Sequence, residues 1–348
     1  MVDAAEPRQN TSANDQDVTR VLVLSSISTP MAIRVAATLK IPDLIGQGIH
    51  SPDRIAVTTC TDKGSLLRLM RHLAAVGILV ERPSGGFELT NLGDVLRSDH
   101  PAGLRPWLDT TSALGRSDLA FFGLLEAVRT GQPAYPGVFG RPFWDDLSED
   151  PELGASFDAL MASERTTAAL EIAAAVDWNG VSSMVDVGGG TGRQLVQIAK
   201  RNPHLSGILV DLPATAAAAG RHFEEEGLAN RCRAASGSFF DPLPPDADFY
   251  LLSFILHDWP DAEATQILRR CAEAVTRNGR VAIVEHVMGD AQTGRRITGM
   301  DMRMMATFGG RERTLAEYTD LAGTAGLEVG QVQRMGSGSS IIECTPVA

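Results

Sequence analysis

Met184-Val185-Asp186-Val187-Gly188-Gly189-Gly190-Thr191-Gly192 decides the fold. Apolar Val185 and Val187 flank an acid, and four of the next five residues are glycine. The pattern reads as a buried strand running into a glycine loop. A residue without Cβ lets a ligand lie against the backbone. Leu195, Ile198 and Ala199 then share one helical face. Strand, glycine turn and helix together form a nucleotide-type site at the carboxyl end of a parallel sheet. Asp211 closes the next apolar strand, Gly207-Ile208-Leu209-Val210. It lies about 20 residues on, where a ribose-binding carboxylate belongs.

The spacing narrows the ligand. Gly188-x-Gly190-x-Gly192 is not G-x-G-x-x-G, and no G-x-x-x-x-G-K-[ST] occurs. Asp186, just before the loop, would repel a pyrophosphate and suits a cationic or amine-bearing ligand. That favours S-adenosylmethionine over NAD.

The chain has 348 residues, is 44% hydrophobic and carries a net charge of −12. An acidic surface argues against nucleic acid as the main partner. The four cysteines, Cys60, Cys232, Cys271 and Cys344, are scattered without a C-x-x-C, so neither zinc nor a disulfide scaffold is expected. No secretory signal opens the chain and no apolar run of about 18 residues is expected to span a membrane. A cytoplasmic protein follows.

Four regions are expected: a disordered tail at 1–17, a winged-helix domain at 18–100, a helical linker and substrate lid at 101–178, and an α/β catalytic domain at 179–348. In the second region, Val35, Leu39, Leu44 and Ile45 are expected on one helix ending near Gly46. Ser51-Pro52-Asp53 caps another helix, Leu66, Leu69, Met70 and Leu73 form a third, and Ser84-Gly85-Gly86 turns a wing hairpin. A winged helix can bind DNA, yet a packing or dimerisation module suits this acidic chain better. A helix at 18–28 with Val21, Leu22 and Leu24 could serve a dimer or cap a pocket. In the catalytic domain strands are expected at 184–187, 207–211, 248–254, 280–285, 327–334 and 339–345, with helices at 192–201, 214–226 and 261–275. The last two strands add an antiparallel pair.

Strand 248–254 ends in Ile255-Leu256-His257-Asp258-Trp259-Pro260-Asp261. His257 therefore stands on the rim where the glycine loop lies. Pro260 suits a first helical turn, and Asp261 and Glu263 suit its positive end, a structural role. Glu285 closes the adjacent strand and could fix the imidazole tautomer. Glu312 is a second candidate for that work. No metal-ligand cluster is read from the sequence.

These pieces, with Val210-Asp211-Leu212-Pro213, Gly237-Ser238-Phe239-Phe240-Asp241-Pro242-Leu243-Pro244 and Gly309-Gly310-Arg311-Glu312-Arg313-Thr314, resemble the class I S-adenosylmethionine-dependent O-methyltransferases of the caffeic-acid/hydroxyindole type. The resemblance implies a Rossmann-like catalytic domain behind a helical winged-helix dimerisation domain. It implies S-adenosylmethionine as cofactor, S-adenosylhomocysteine as product, a small aromatic substrate and a homodimer. By this likeness His257 is the base, with Glu285 and Glu312 beside it. The cofactor would meet Asp186, Gly188, Gly189, Gly190, Asp211, Leu212, Ser238, Phe239, Phe240, Ser253, Asp258 and Trp259. Ser238 stands where much of the family has Asp, and Ser253 where plant members have Lys. Substrate candidates are Phe157, Met161, Asp301, Met304, Met305 and Phe308, with Trp107 from the aromatic set of the middle region. Thr29–Leu39 and Thr130–Pro136 resemble a narrower branch of actinomycete enzymes that methylate naphthoic acids and related aromatic polyketides. The rival readings are a hydroxylase or decarboxylase on the same fold and a DNA-binding regulator.

Overall fold

The computed structural model describes residues 13–289 and 294–347. The chain divides into two compact units, Met1–Thr110 and Thr111–Ala348.

In the first unit, helices Ala13–Ser25, Ser28–Thr38, Ile41–Gly46, Pro52–Thr59 and Lys63–Ala75 precede a hairpin of β1 (Leu79–Glu81) and β2 (Phe87–Leu89). Leu79 faces Leu89 across the antiparallel pair. Leu66, Met70 and Leu73, spaced for one helical face, are buried in this unit's core. Asp62 caps their helix by accepting from the Ser65 N–H at 2.8 Å. The wing makes the unit winged-helix in form, though not all-helical.

Three expectations need correction here. Of the tail at 1–17, residues 1–12 lie outside the described residues, while the helix begins at Ala13. The helix expected through Val35 to Gly46 is two helices, broken where Lys40 turns left-handed at φ +54° ahead of Pro42. Ser51 stands at the N-cap of helix Pro52–Thr59 but makes no side-chain cap bond. In addition, Asp15–Thr38 is long and apolar enough, by length and composition, to cross a membrane, where no such run was expected. The helix breaks at Ser26 and Ile27 within that stretch, and Ala32, Ala36 and Ala37 are buried in the unit.

The second unit opens with short helical segments, among them Phe143–Glu149, and the long helix Pro151–Ala175. The sheet strands are β3 (Ser183–Val187), β4 (Ser206–Asp211), β5 (Cys232–Ser236), β6 (Ala247–Ser253), β7 (Val275–Glu285), β10 (Leu327–Arg334) and β11 (Ser340–Pro346). A two-residue pair, β8 (Val287–Met288) and β9 (Arg313–Thr314), stands apart. The seven strands order as β10-β11-β7-β6-β3-β4-β5. The five from β7 to β5 run parallel, and β11 and β10 join antiparallel.

Strands buried on both faces read as continuous apolar runs, and β6 does so over Phe249-Tyr250-Leu251-Leu252. Alternate residues serve opposite cores. Tyr250, Leu252, Val281 and Ile283 pack on one side, and Phe249, Leu251, Ala282 and Val284 on the other. The edge strand β5 was not expected, because Arg233 and Ser236 are exposed and no apolar run marks it. Helix Arg193–Arg201 lies close on β4, where a Cβ at Gly207 would sit 2.5 Å from Leu195 Cδ1. This contact fixes the helix that follows the glycine loop. Leu195→Ala is expected to lower the stability of the folded chain by about 3 kcal/mol in chemical denaturation. A loss under about 1 kcal/mol would show that this packing does not hold the loop's helix.

Candidate active site

Parallel strands bring their carboxyl ends to one rim, and the candidate residues gather there. Gly188 follows β3 at φ +68°, and its N–H donates to the Val210 carbonyl at 2.8 Å. A Cβ on Gly188 would stand 2.6 Å from Ile255 Cδ1, and one on Gly189 would stand 2.5 Å from Asp186 Oδ2. Glycine suits Gly188 by its positive φ, and the small residues let these side chains pack against the loop. Asp211 ends β4, and its Oδ2 accepts from the Gly190 N–H at 2.8 Å while Oδ1 accepts from Leu212 N–H at 2.7 Å. The carboxylate is thus oriented on the rim. Ser253 ends β6, beside β3, and its buried hydroxyl has no hydrogen-bond partner. Gln194, on the first turn after the loop, is buried with both carboxamide atoms unpartnered. An oriented carboxylate suits a ribose diol, and orphaned polar atoms beside a glycine loop suit a polar ligand. The residues present fit S-adenosylmethionine. The Ser238 hydroxyl accepts from the Phe240 N–H at 3.2 Å, shaping the turn that carries Phe239 and Phe240.

The chain leaves β6 through Phe254, a non-glycine residue at φ +53°, a conformation that costs about 1 kcal/mol or more. A 3-10 turn, Leu256–Asp258, follows and presents His257. Glu312 Oε1 lies 3.0 Å from His257 Nδ1 and Glu285 Oε2 lies 3.6 Å from it. Asp258 Oδ1 lies 3.5 Å from Nε2. When the ring is neutral, a carboxylate on Nδ1 favours the proton there and leaves the lone pair on Nε2. Burial alone would lower the imidazole pKa. The carboxylates of Glu285, Asp258 and Glu312 outweigh it and hold the group above its usual value. Burial raises the Glu285 carboxyl, with His257 pulling against it.

The two glutamates divide the work differently from the expectation. Glu285 Oε1 accepts the backbone N–H groups of Ile255, Leu256 and His257 at 3.0, 2.8 and 3.3 Å. Its strand end adjoins the turn, so it reaches the backbone first. Glu312 makes the hydrogen bond to the ring. Three groups here, His257, Glu285 and Glu312, also have the make-up of a metal cluster, which was not read from the sequence.

An aromatic row runs away from this turn. Trp259 packs edge-on to Phe239 and Phe240 at 5.8 and 4.9 Å between centroids. Trp144 lies parallel to Trp259 at 6.2 Å and to Phe308 at 5.4 Å, and meets Phe157 edge-on at 5.5 Å. Met304 is buried on helix Arg295–Thr307, while Met161 and Met305 are half-buried. Asp301 Oδ1 accepts the Glu312 N–H at 2.9 Å, so this carboxylate is engaged in holding Glu312. Trp107 belongs to the first unit, where its carbonyl accepts from Arg34. Sequence reasoning gave no site role to Gln194 or Arg313, and did not single out Trp144 among the middle-region aromatics that could line a pocket. Arg313 stood out only as a member of a motif.

The description "O-methyltransferase domain" matches residues 121–328, and "O-methyltransferase dimerisation domain" matches 21–99. A 2,7-dihydroxy-5-methyl-1-naphthoate 7-O-methyltransferase of Streptomyces carzinostaticus is 48% identical over 322 residues, 92% of this chain and 96% of its own. The aclacinomycin 10-hydroxylase RdmB of Streptomyces purpurascens is 44% identical, covering 99% of this chain and 95% of its own. A solved O-methyltransferase from neocarzinostatin biosynthesis, in complex with S-adenosyl-L-homocysteine and 1,4-dihydroxy-2-naphthoic acid, superposes with a TM-score of 0.90. It is 46% identical and the match covers 94% of this chain and 98% of that one.

Asp211→Asn is expected to weaken S-adenosylmethionine binding at least about tenfold, or 1.4 kcal/mol, in calorimetry. Unchanged affinity would remove Asp211 from the cofactor site.

Proposed function

The chain belongs to the S-adenosylmethionine-dependent O-methyltransferase family and methylates an aromatic natural product, and we propose that its substrate is a hydroxynaphthoic acid or similar polycyclic phenol deprotonated by His257. The observation that carries the proposal is the pairing of His257 Nδ1 with Glu312 at 3.0 Å, which in the neutral ring favours Nε2 as the acceptor. Bound S-adenosylmethionine would supply the methyl group on a positively charged sulfur. A phenol of pKa near 10 is little ionised at neutral pH. His257 in its neutral form takes the phenol proton at Nε2 as the oxygen attacks, and the carboxylates around Nδ1 stabilise the imidazolium that forms. The row of Trp259, Trp144, Phe308 and Phe157 suits a flat ring, and its parallel rings favour one orientation. Holding the hydroxyl in line with the methyl group contributes through geometry more than through any new bond.

The ring system is proposed from the naphthoate named for the relative and the naphthoic acid in the solved complex. The dimerisation domain match supports a homodimer. The helix Ala13–Ser25 presents Val18, Val21, Leu22, Val23 and Leu24, each more than half exposed, as an apolar face for it. A second reading has a specific basis in the 44% identity to a hydroxylase. The two readings differ in product. Labelled S-adenosylmethionine with hydroxynaphthoic acids is expected to yield a product heavier by one methyl. His257→Ala should lower that rate about 10²-fold or more. An oxygenated product without methyl gain would favour the second reading, and a His257→Ala enzyme with most of its rate would remove the base.

A further inference from the structure

The turn carrying His257 is too short to hold itself. Leu256–Asp258 is a single 3-10 turn, closed by the Asp258 and Trp259 N–H groups donating to the Ile255 and Leu256 carbonyls, each at 3.2 Å. Glu285 holds its other amides from one side. From the opposite polarity, Arg313 Nη1 donates to the Leu256 carbonyl at 2.8 Å and Nη2 to the Trp259 carbonyl at 2.7 Å. These carbonyls flank His257 and Asp258. Arg313 Nε donates to Asp261 Oδ1 at 2.9 Å, and Nη2 lies 2.8 Å from the same oxygen. The guanidinium is fully buried, while the Asp261 side chain is 53% exposed.

The same segment closes on the turn by a second means. A Cβ on Gly310 would stand 2.1 Å from the His257 carbonyl oxygen and 2.4 Å from the Asp258 carbonyl carbon. No side chain fits there, so the backbone of 310 lies flat on the turn. From that contact the chain delivers Glu312 to the imidazole and Arg313 to the carbonyls.

We propose that Arg313, anchored by Asp261, is a positioning residue for methyl transfer: its fork grips the Leu256 and Trp259 carbonyls and sets where His257 Nε2 stands. The inference rests on the reading of His257 as proton acceptor. A planar fork spans two carbonyls where an ammonium, a point charge, does not. A shift of about 1 Å in a reacting group can cost about 10²-fold in rate. A buried ion pair that served stability alone would leave the chemistry of the folded enzyme untouched.

The test compares wild type, Arg313→Lys, Asp261→Asn and His257→Ala on two substrates. One is a hydroxynaphthoic acid whose phenol is un-ionised at the assay pH, and the other is a nitro-substituted analogue already ionised. Arg313→Lys and Asp261→Asn are expected to lose about tenfold or more in kcat on the first. On the second they should lose less than about threefold, with KM for S-adenosylmethionine nearly unchanged. His257→Ala should show the same dependence on phenol ionisation, more strongly. If Arg313→Lys does not fold, Asp261→Asn, altered at a half-exposed side chain, carries the comparison. Equal losses on both phenols, or a lower Tm with kcat intact, would overturn the inference. If His257→Ala itself shows no dependence on ionisation, the base assignment falls and this inference with it. If only His257→Ala shows it, the inference alone falls.

Discussion

The site depends on one buried carboxylate, Glu285. Where β6 ends, three successive N–H groups lose their ladder partners, and all three point at Glu285 Oε1. A buried donor left unpaired costs about 1–3 kcal/mol, so this acceptor stabilises the turn. The acceptor is present because β7 runs parallel to β6 with Ser253 opposite Val284, which puts Glu285 one step further at the same rim. The same carboxyl group faces the imidazole and, when ionised, raises its proton affinity together with Asp258 and Glu312. Backbone support and acid–base tuning thus share one side chain.

Much of this rim was legible before any coordinates. The change from period-two apolar residues to glycine marks the β3 loop, and Asp211 and His257 follow apolar strands at their carboxyl ends. Those signals are local, so sequence carries them. The division of labour between Glu285 and Glu312 is not local. Glu285 reaches back 28 to 30 residues to the turn, and Glu312 reaches 55 residues to the ring. Only the strand order says which arrives at backbone and which at imidazole. The part played by Arg313 was hidden for the same reason. A motif holding Gly, Glu and Arg in succession shows charge and flexibility but not direction. The helix break at Lys40 and the edge strand β5 were hidden for another reason. Neither has a periodic pattern of its own, and tertiary packing decides both.

The segment Gly309–Thr314 joins these observations. Gly310 permits contact, Glu312 meets the ring and Arg313 meets the carbonyls of one turn. Asp301 holds the Glu312 amide from helix Arg295–Thr307. That helix leads into Phe308, which packs on Trp144. One helix thus carries the residue that holds Glu312 and leads into a member of the aromatic row.

In the proposed reaction His257 accepts a proton at Nε2 under the control of the acids around it. The acids facing it are Glu285 from β7, Glu312 from the Gly309–Thr314 segment and Asp258 from its own turn, and the His286 ring also feels its charge. The most direct measurement is the pH dependence of kcat/KM for wild type and Glu312→Gln on an un-ionised phenol. The histidine must be neutral to act and its pKa is raised, so the wild-type rate should climb with pH along a limb above about 6.5. Glu312→Gln removes a negative charge from Nδ1, so the limb should move to lower pH by roughly one unit and the plateau should fall. A flat profile, or a limb that stays in place in Glu312→Gln, would contradict the account.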